Sequence, residues 1–420
     1  MSVLLFVNCS DRISQLPDDI LVYVLSFLSL KEAARTSVLS SRWINLSKHN
    51  PRLVFDAHSL PDRIAKQKGV AVVVKWRKYV KWVNCILRSH RAATLKEFAV
   101  FYELNRLARN DITRWLEFAF ARNVETLELD LSRNSDYFGY RHEHYVFPEE
   151  YFLNGSIDFK SLKVLSLRSV EVTDGAVEFF LRNCPLLEEL AVEDSYKISN
   201  LEVCGRSLVL KHLELTCSDL KSVKVFAPNL ASLSVPGPQG LFLENVPMLV
   251  DVTFSLGCRD SVKNILPALS CCIFRLEILS LQLTASPEEI VLSTFPELPK
   301  LKKLAIQYRG GHDESLMGLT PLIRASPYLQ EFVLNLVRWG HSKSDIGVKN
   351  IIKFSHHHLK VFKFCDYYGH ANDIELVGYM LESCVVLEKI IFDFYYTLKH
   401  HNAKQQLKAQ VPHHIELVIL

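Results

Sequence analysis

Cysteine and histidine are the residues of this 420-residue chain whose types and spacing bear most directly on chemistry. Ten cysteines occur: Cys9, Cys85, Cys184, Cys204, Cys217, Cys258, Cys271, Cys272, Cys365 and Cys384. A zinc site needs thiolates or imidazoles grouped at short fixed intervals. Here no C-x-x-C pair exists and the intervals are irregular. Most of the cysteines lie in apolar surroundings and read as small buried hydrophobes of a reducing compartment. In that compartment the Asn-x-Ser triplets at Asn8, Asn45 and Asn154 carry no sugar. Cys271 and Cys272 lack a nearby base of the kind that activates a nucleophilic thiol. His356, His357 and His358 are consecutive, so they cannot share one face of a regular element. Together with His400, His401, His413 and His414 they make the C-terminal part histidine-rich, and surface loops are their expected setting. His142, Glu143 and His144 fall in a polar insertion and are read the same way. The phosphate-cradling loop G-x-x-x-x-G-K-[ST], the dinucleotide fingerprint G-x-G-x-x-G and the zinc-protease motif H-E-x-x-H are missing from the sequence. The expectation is a chain with no catalytic residue, no cofactor and no metal.

Composition narrows the class further. Hydrophobic residues make up 49% and charged residues 23%, values that exclude widespread disorder. A formal net charge of +3 asks for neither nucleic acid nor a membrane surface. The strongest basic cluster is Lys75, Arg77, Lys78 and Lys81 among aromatics. Val73, Trp76, Val80, Val83 and Leu87 recur there at steps of three and four, which predicts an amphipathic helix with a solvated basic face. The N-terminal apolar run Val3–Val7 is too short for a signal-peptide core, and no uncharged stretch approaches the ~18 residues of a membrane span. The expected setting is cytoplasmic, nuclear or both.

A six-residue pattern organises most of the chain: an aliphatic, two variable residues, an apolar residue, one variable and another apolar. It starts at Leu95, Val124, Leu162, Leu187, Leu210, Leu230, Leu249, Leu276, Leu301, Leu329, Leu359 and Leu387. The intervals, mostly about 20 to 30 residues, are those of leucine-rich repeats. Apolar, variable, apolar is a strand with one buried face, and one such strand cannot bury that face alone. Stacked neighbours can, so the units predict a parallel sheet along a solenoid. Pro185, Pro228, Pro247, Pro299 and Pro327 each lie two residues before the first leucine of a unit, where proline is expected to stop an outer helix and start the strand. The asparagine of the usual repeat consensus is mostly missing; Ser132, Val170, Ser195 and Thr284 stand near its place, which predicts an irregular array.

The segment from Asp11 to Leu46 has another character. Asp18 and Asp19 after Pro17 mark a helix start, and Ile20, Leu21, Val24, Leu25 and Leu28 mark one helical face. Lys31–Ser37 predicts a second short helix, and a third follows toward Leu46. About 40 residues hold too little core for so much apolar surface, so a partner is expected to cover part of it. The series LPDDIL, LSFL and VLSSRW resembles an F-box. That resemblance implies docking onto a Skp-type adaptor, which binds a cullin scaffold. The matching positions are Leu16, Pro17, Ile20, Leu21, Leu25, Leu28, Val38, Leu39 and Trp43. WVNCILRSH, DITRWLEFAFARNVETLELDL, NCPLLEEL and FAPNLASLSV resemble plant F-box leucine-rich repeat proteins, and the stretch from His358 to Asp393 is similar to the FBD domain that closes many of them.

The expected fold is α/β: an F-box three-helix module, then an irregular leucine-rich repeat solenoid of parallel strands with outer helices, closed by an FBD-like cap. The expected divisions are a tail over 1–10, the F-box over 11–50, a helical linker and cap over 51–94, the solenoid over 95–354 and the FBD-like end over 355–420. The resemblance implies a substrate receptor of a ubiquitin ligase. The alternatives are a repeat scaffold without ligase association and a receptor gated by a small molecule. Ser232, Ser234, Thr253, Ser280, Gln282 and Gln307 are small or neutral residues at exposed strand positions and form the candidate target-binding surface. Glu128, Asp130, Glu189, Glu193 and Glu214 make the earlier strands acidic, which would steer a basic partner segment.

Overall fold

The computed structural model describes residues 13, 15–56, 72–132, 144–152, 157–205, 208–237, 239–256, 265–284, 296–311, 315–339, 354–394, 407–408 and 410–420. Readings that fall on the first twelve residues, His142, Glu143, Asn154, Cys258, His400 and His401 lie outside them. The chain divides into two compact units, Met1–Ser195 and Tyr196–Leu420.

The first unit opens with three short helices, α1 (Asp18–Leu25), α2 (Leu30–Arg35) and α3 (Ser41–Ser47). Its strands are β1 (Arg52–Asp56), β2 (Glu97–Phe101), β3 (Thr126–Asp130), β4 (Tyr145–Val146), β5 (Val164–Arg168), β6 (Val170–Glu171) and β7 (Glu189–Glu193). Between them run α4 (Val72–Ser89), α5 (Arg109–Phe120), α6 (Glu149–Phe152) and α7 (Asp174–Asn183). Strands β1, β2, β3, β5 and β7 pair in parallel, which puts Leu53, Phe98, Leu127, Leu165 and Leu190 in one row. All five are buried, as the hexad alternation requires. In β7, Leu190 and Val192 face inward while Glu189 and Ala191 do not. The sheet starts earlier than Leu95, because β1 lies within the stretch read as helical linker and cap. On α4, Val80, Val83 and Leu87 are buried and Trp76 half-buried, and Arg77 and Lys81 are exposed. Tyr79 joins that buried stripe; its hydroxyl donates to Phe55 O at 2.6 Å and its ring stacks on Tyr102 at 4.0 Å.

The strands of the second unit are β8 (Asn200–Cys204), β9 (His212–Thr216), β10 (Ser222–Phe226), β11 (Ser232–Val235), β12 (Leu241–Glu244), β13 (Asp251–Ser255), β14 (Ile278–Leu283), β15 (Lys303–Gly311), β16 (Glu331–Trp339), β17 (Val361–Cys365), β18 (Lys389–Asp393) and β19 (Glu416–Ile419). Its helices are α8 (Ile265–Ala268), α9 (Thr320–Arg324) and α10 (Ala371–Ser383). From β9 through β11 and β13 to β19, neighbours pair in parallel and in register. Strands β8, β10 and β12 form a separate parallel sheet. This corrects one expectation: Pro228 follows β10 and Pro247 follows β12, so the outer element of those repeats is a strand and not a helix. Their outer segments alternate apolar and polar, as in Leu201, Glu202, Val203, and have the period of a half-buried strand.

What the prolines share is the turn. Leu187 N donates to Cys184 O at 3.1 Å, Leu230 N to Ala227 O at 3.1 Å and Leu329 N to Ser326 O at 3.1 Å. Each proline therefore takes the second position of a turn that closes on the leading leucine, where its fixed φ is favourable and no N–H is needed. At two of the four places near the missing asparagines a hydroxyl takes over. Ser195 Oγ accepts from Val172 N at 3.1 Å and donates to Val172 O at 3.2 Å, and Thr284 Oγ1 donates to Leu256 O at 3.0 Å, so each ties down backbone of the preceding repeat. At the C-terminal end β17, a turn at Gly369 (φ +77°), α10 and β18 follow in the expected order.

Candidate partner-docking surface

The three N-terminal helices share a small core of Leu21, Leu25, Ala33, Trp43 and Leu46, with Val22 and Leu28 packed against it. Pro17 precedes α1 in extended geometry, and Asp18 and Asp19 fill the first turn, where the helix dipole favours negative charge. Ser29 caps α2: its hydroxyl accepts from Glu32 N at 3.2 Å, and the Glu32 carboxylate accepts from Ser29 N at 3.0 Å. The Ser29 hydroxyl also donates to that carboxylate at 2.7 Å, and this bond first, then the one from Ser29 N, holds the Glu32 carboxyl below its usual range. Arg42 of α3 donates through Nε to Asp18 at 2.8 Å and through Nη2 to Leu16 O at 2.6 Å. The ion pair is exposed and adds little stability, but it fixes the Leu16–Pro17 corner against α3.

At 100° per residue α1 carries two apolar stripes. Leu21 and Leu25, continued by Leu28, face the core. Ile20, Tyr23 and Val24, continued by Phe27 in the turn after the helix and also spaced three and four apart, lie roughly 120° around the axis and are exposed. This corrects the sequence reading, which merged Ile20, Leu21, Val24, Leu25 and Leu28 into one face. A helix packed on its own protein needs one stripe; here a second faces outward. The edge-to-face contact of Tyr23 and Phe27, centroids 4.9 Å apart, keeps the two rings on that side.

The nine positions matched to the F-box motif divide accordingly. Leu16, Pro17, Ile20, Val38 and Leu39 are exposed, Val38 to 86%. Leu21, Leu25 and Trp43 are interior, and Leu28 is half-buried beside them. Interior side chains cannot be offered to a partner, so these shape the surface by holding the helices together. Sequence reasoning did not assign Ile13, Tyr23, Phe27 and Ile44 to the surface, yet all are exposed apolar side chains of the module. Tyr23 and Phe27 were detectable as the second 3–4 series on α1.

The candidate target-binding residues all belong to the second unit. Ser234, Thr253 and Ser280 are neighbours in one row across β11, β13 and β14, and Gln282 and Gln307 are neighbours in another across β14 and β15. Ser232 lies in a third row and its hydroxyl donates to Asp251 at 3.4 Å. All are half-buried except Gln282, which is exposed. On the first unit the acidic strands are interrupted by bases: Arg168 lies between Asp130 at 3.8 Å and Glu193 at 3.4 Å, and Arg52 meets Glu97 at 2.6 Å. Burial first, then Glu97 and Glu189, push the Glu128 carboxyl up. That face is therefore less uniformly negative than its acidic residues alone imply.

His356 departs from the surface-loop reading: it is buried, whereas His357, His358, His413 and His414 are exposed. Burial lowers its imidazole to about 4. His144 is half-buried with Nδ1 3.3 Å from Glu171. Burial raises the Cys184, Cys272 and Cys384 thiols to about 12, far from nucleophilic range. Among the described residues no group of three His, Cys, Asp or Glu side chains is placed to hold a metal ion, and no helix is long and apolar enough to cross a membrane.

Comparison with known families matches both parts of the chain. A family model described as At1g61320/AtMIF1, LRR domain, matches residues 154–417, and the F-box domain model matches residues 13–55. The chain is 27% identical over 422 residues to the F-box/FBD/LRR-repeat protein At4g00160 of Arabidopsis thaliana, covering 91% of this chain and 86% of the relative. It is 31% identical over 241 residues to the F-box/LRR-repeat protein At3g58900 of the same plant, covering 52% of this chain and 71% of the relative.

Proposed function

Because this chain belongs to the F-box/FBD/leucine-rich repeat family, we propose that it is the substrate-receptor subunit of a Skp-cullin-F-box type ubiquitin ligase. The N-terminal helices dock a Skp-type adaptor and through it a cullin scaffold, and the repeat units recruit a target protein for ubiquitination. The chain contributes no catalytic group to the transfer and works in the cytoplasm, the nucleus or both. The observation that carries this reading is the outward apolar stripe of Ile20, Tyr23, Val24 and Phe27, together with the exposed Leu16, Pro17, Val38 and Leu39 of the same module. An exposed apolar cluster of that density on so small a module is what a protein partner covers.

The test is co-purification of the full chain with a Skp-type adaptor. Leu16→Ala with Pro17→Ala should lose capture, since removing interface anchors typically costs ~2 kcal/mol or more, while the repeat units keep their melting transition. Undiminished capture by the double variant would overturn the docking surface.

A further inference from the structure

On the solvent face of the second unit, one row of side chains is used by neither the core nor the turns. Gln282 on β14, Gln307 on β15 and Asn335 on β16 are in-register neighbours. Gln282 is exposed, and the other two are half-buried. No hydrogen bond among the described residues engages their three carboxamides, and Asn335 Oδ1 is buried with no donor in reach. An unpaired buried acceptor is costly, and rotation of the Asn335 carboxamide would bring Oδ1 outward to accept from a donor that the fold does not supply. Alongside, Ser234, Thr253, Ser280 and Ala305 form a row of short side chains from β11 and β13 through β14 and β15, and Val333 continues it on β16.

We infer that this carboxamide ladder reads the main chain of an extended target peptide laid across β14, β15 and β16. The inference rests on the target-recruiting role proposed above and specifies its chemistry. A carboxamide has two donors and an acceptor, the complement of a peptide group. A helical target has its own amides paired and leaves the ladder nothing to bind, whereas an extended or polyproline II segment has them free. The spacing agrees. Two strand intervals, about 9.6 Å, equal three residues of extended or polyproline II chain, about 9.3–10 Å. Gln282 and Asn335 thus meet peptide groups three residues apart, with Gln307 between them, and Ser280 and Ala305 beside the ladder let the backbone come close over β14 and β15. The row carries no charge, so recognition runs through the backbone and tolerates variation in the side chains that point away.

The test pans a phage-displayed library of random 12-residue peptides against the full chain bound to its adaptor. The affinity of an enriched peptide is then measured for wild type, for Gln282→Leu with Gln307→Leu and Asn335→Leu, and for Ser234→Arg with Ser280→Arg. The expected result is a loss of about tenfold or more in the leucine variant with an unchanged melting transition. N-methylation at two peptide positions three residues apart should cause a similar loss, and alanine at those positions should not. If the leucine variant is unfolded, Gln307→Leu alone and the N-methyl scan decide. Full affinity in the leucine variant with loss in the arginine variant would overturn the ladder and leave the target surface standing. Full affinity in both would overturn the ladder and the placement of the target surface together. No enriched peptide at all would overturn the ladder as a peptide reader, with adaptor capture still measuring the receptor role.

Discussion

Leu25, the last residue of α1, and Phe27, in the turn that follows it, make the sharpest comparison the N-terminal helical module allows. Leu25 is 0% exposed and belongs to a core of only five buried side chains, whereas Phe27 is 64% exposed. Truncation of a buried leucine costs roughly 2–5 kcal/mol, a large part of what so small a core can supply. Leu25→Ala should therefore loosen the module, seen as early hydrogen exchange in α1 and α3, and lose adaptor binding as a consequence. Phe27→Ala removes no core contact and should leave exchange within the ±0.5 kcal/mol of a surface change. Full burial of a phenylalanine is worth up to about 3 kcal/mol; covering the exposed two-thirds of this one recovers about 2. That is roughly a thirtyfold loss of adaptor affinity, measurable by calorimetric titration. Unchanged affinity in Phe27→Ala, or equal loosening of the module by both variants, would refute the division into inward and outward stripes.

In β7, Leu190→Ala should destabilise the first unit by ~2–5 kcal/mol and Ala191→Ser should be nearly silent in denaturant melts; equal effects would mean the strand register is wrong. Ser195→Ala removes a hydroxyl that serves both Val172 N and Val172 O, so a loss of about 1–3 kcal/mol is expected in the same melts. His356 gives a pH dependence. Its folded pKa of about 4 lies below the ordinary 6.5, so the unfolded chain binds the proton more readily between those values. Its contribution is fully present above about pH 6.5 and is lost as pH falls toward 4, about 3 kcal/mol in all. His356→Leu should flatten the decline in stability between pH 6.5 and 4.5, and identical slopes in variant and wild type would count against this.

The strands were the most legible part of the fold. All twelve hexads found in the sequence are strands, because one leading aliphatic and two alternating apolar positions suffice to specify a half-buried parallel strand. Strands β1 and β19, which pair with hexad strands but lack the hexad, have polar residues in the leading slot. Aligned on the register, Asn50 precedes β1 where Leu95 precedes β2, and His414 precedes β19 where Leu387 precedes β18. The outer strands β8, β10 and β12 were obscured by an expectation of helices before each proline, although proline constrains only the turn. In the docking module the apolar residues were visible but their direction was not. Two 3–4 series one step apart look like one broad face until the packing of α3 through Trp43 selects which is inside. The carboxamide ladder was half visible, with Gln282 and Gln307 picked out and Asn335 not, because its alignment depends on pairing between strands 28 residues apart along the chain.

The outward stripe on α1 also bears on how the protein behaves in a test tube without its partner. The stripe belongs to the folded module, so it should make the free chain self-adhesive without any unfolding. Association of this kind is reversible and strengthens with concentration and with sulfate or phosphate salts. It appears in light scattering well below the melting temperature. Denaturation-driven precipitation has the opposite profile, following the melt and resisting dilution. An adaptor that docks on the stripe as proposed should, when supplied during expression, change the second virial coefficient before it changes the melting curve.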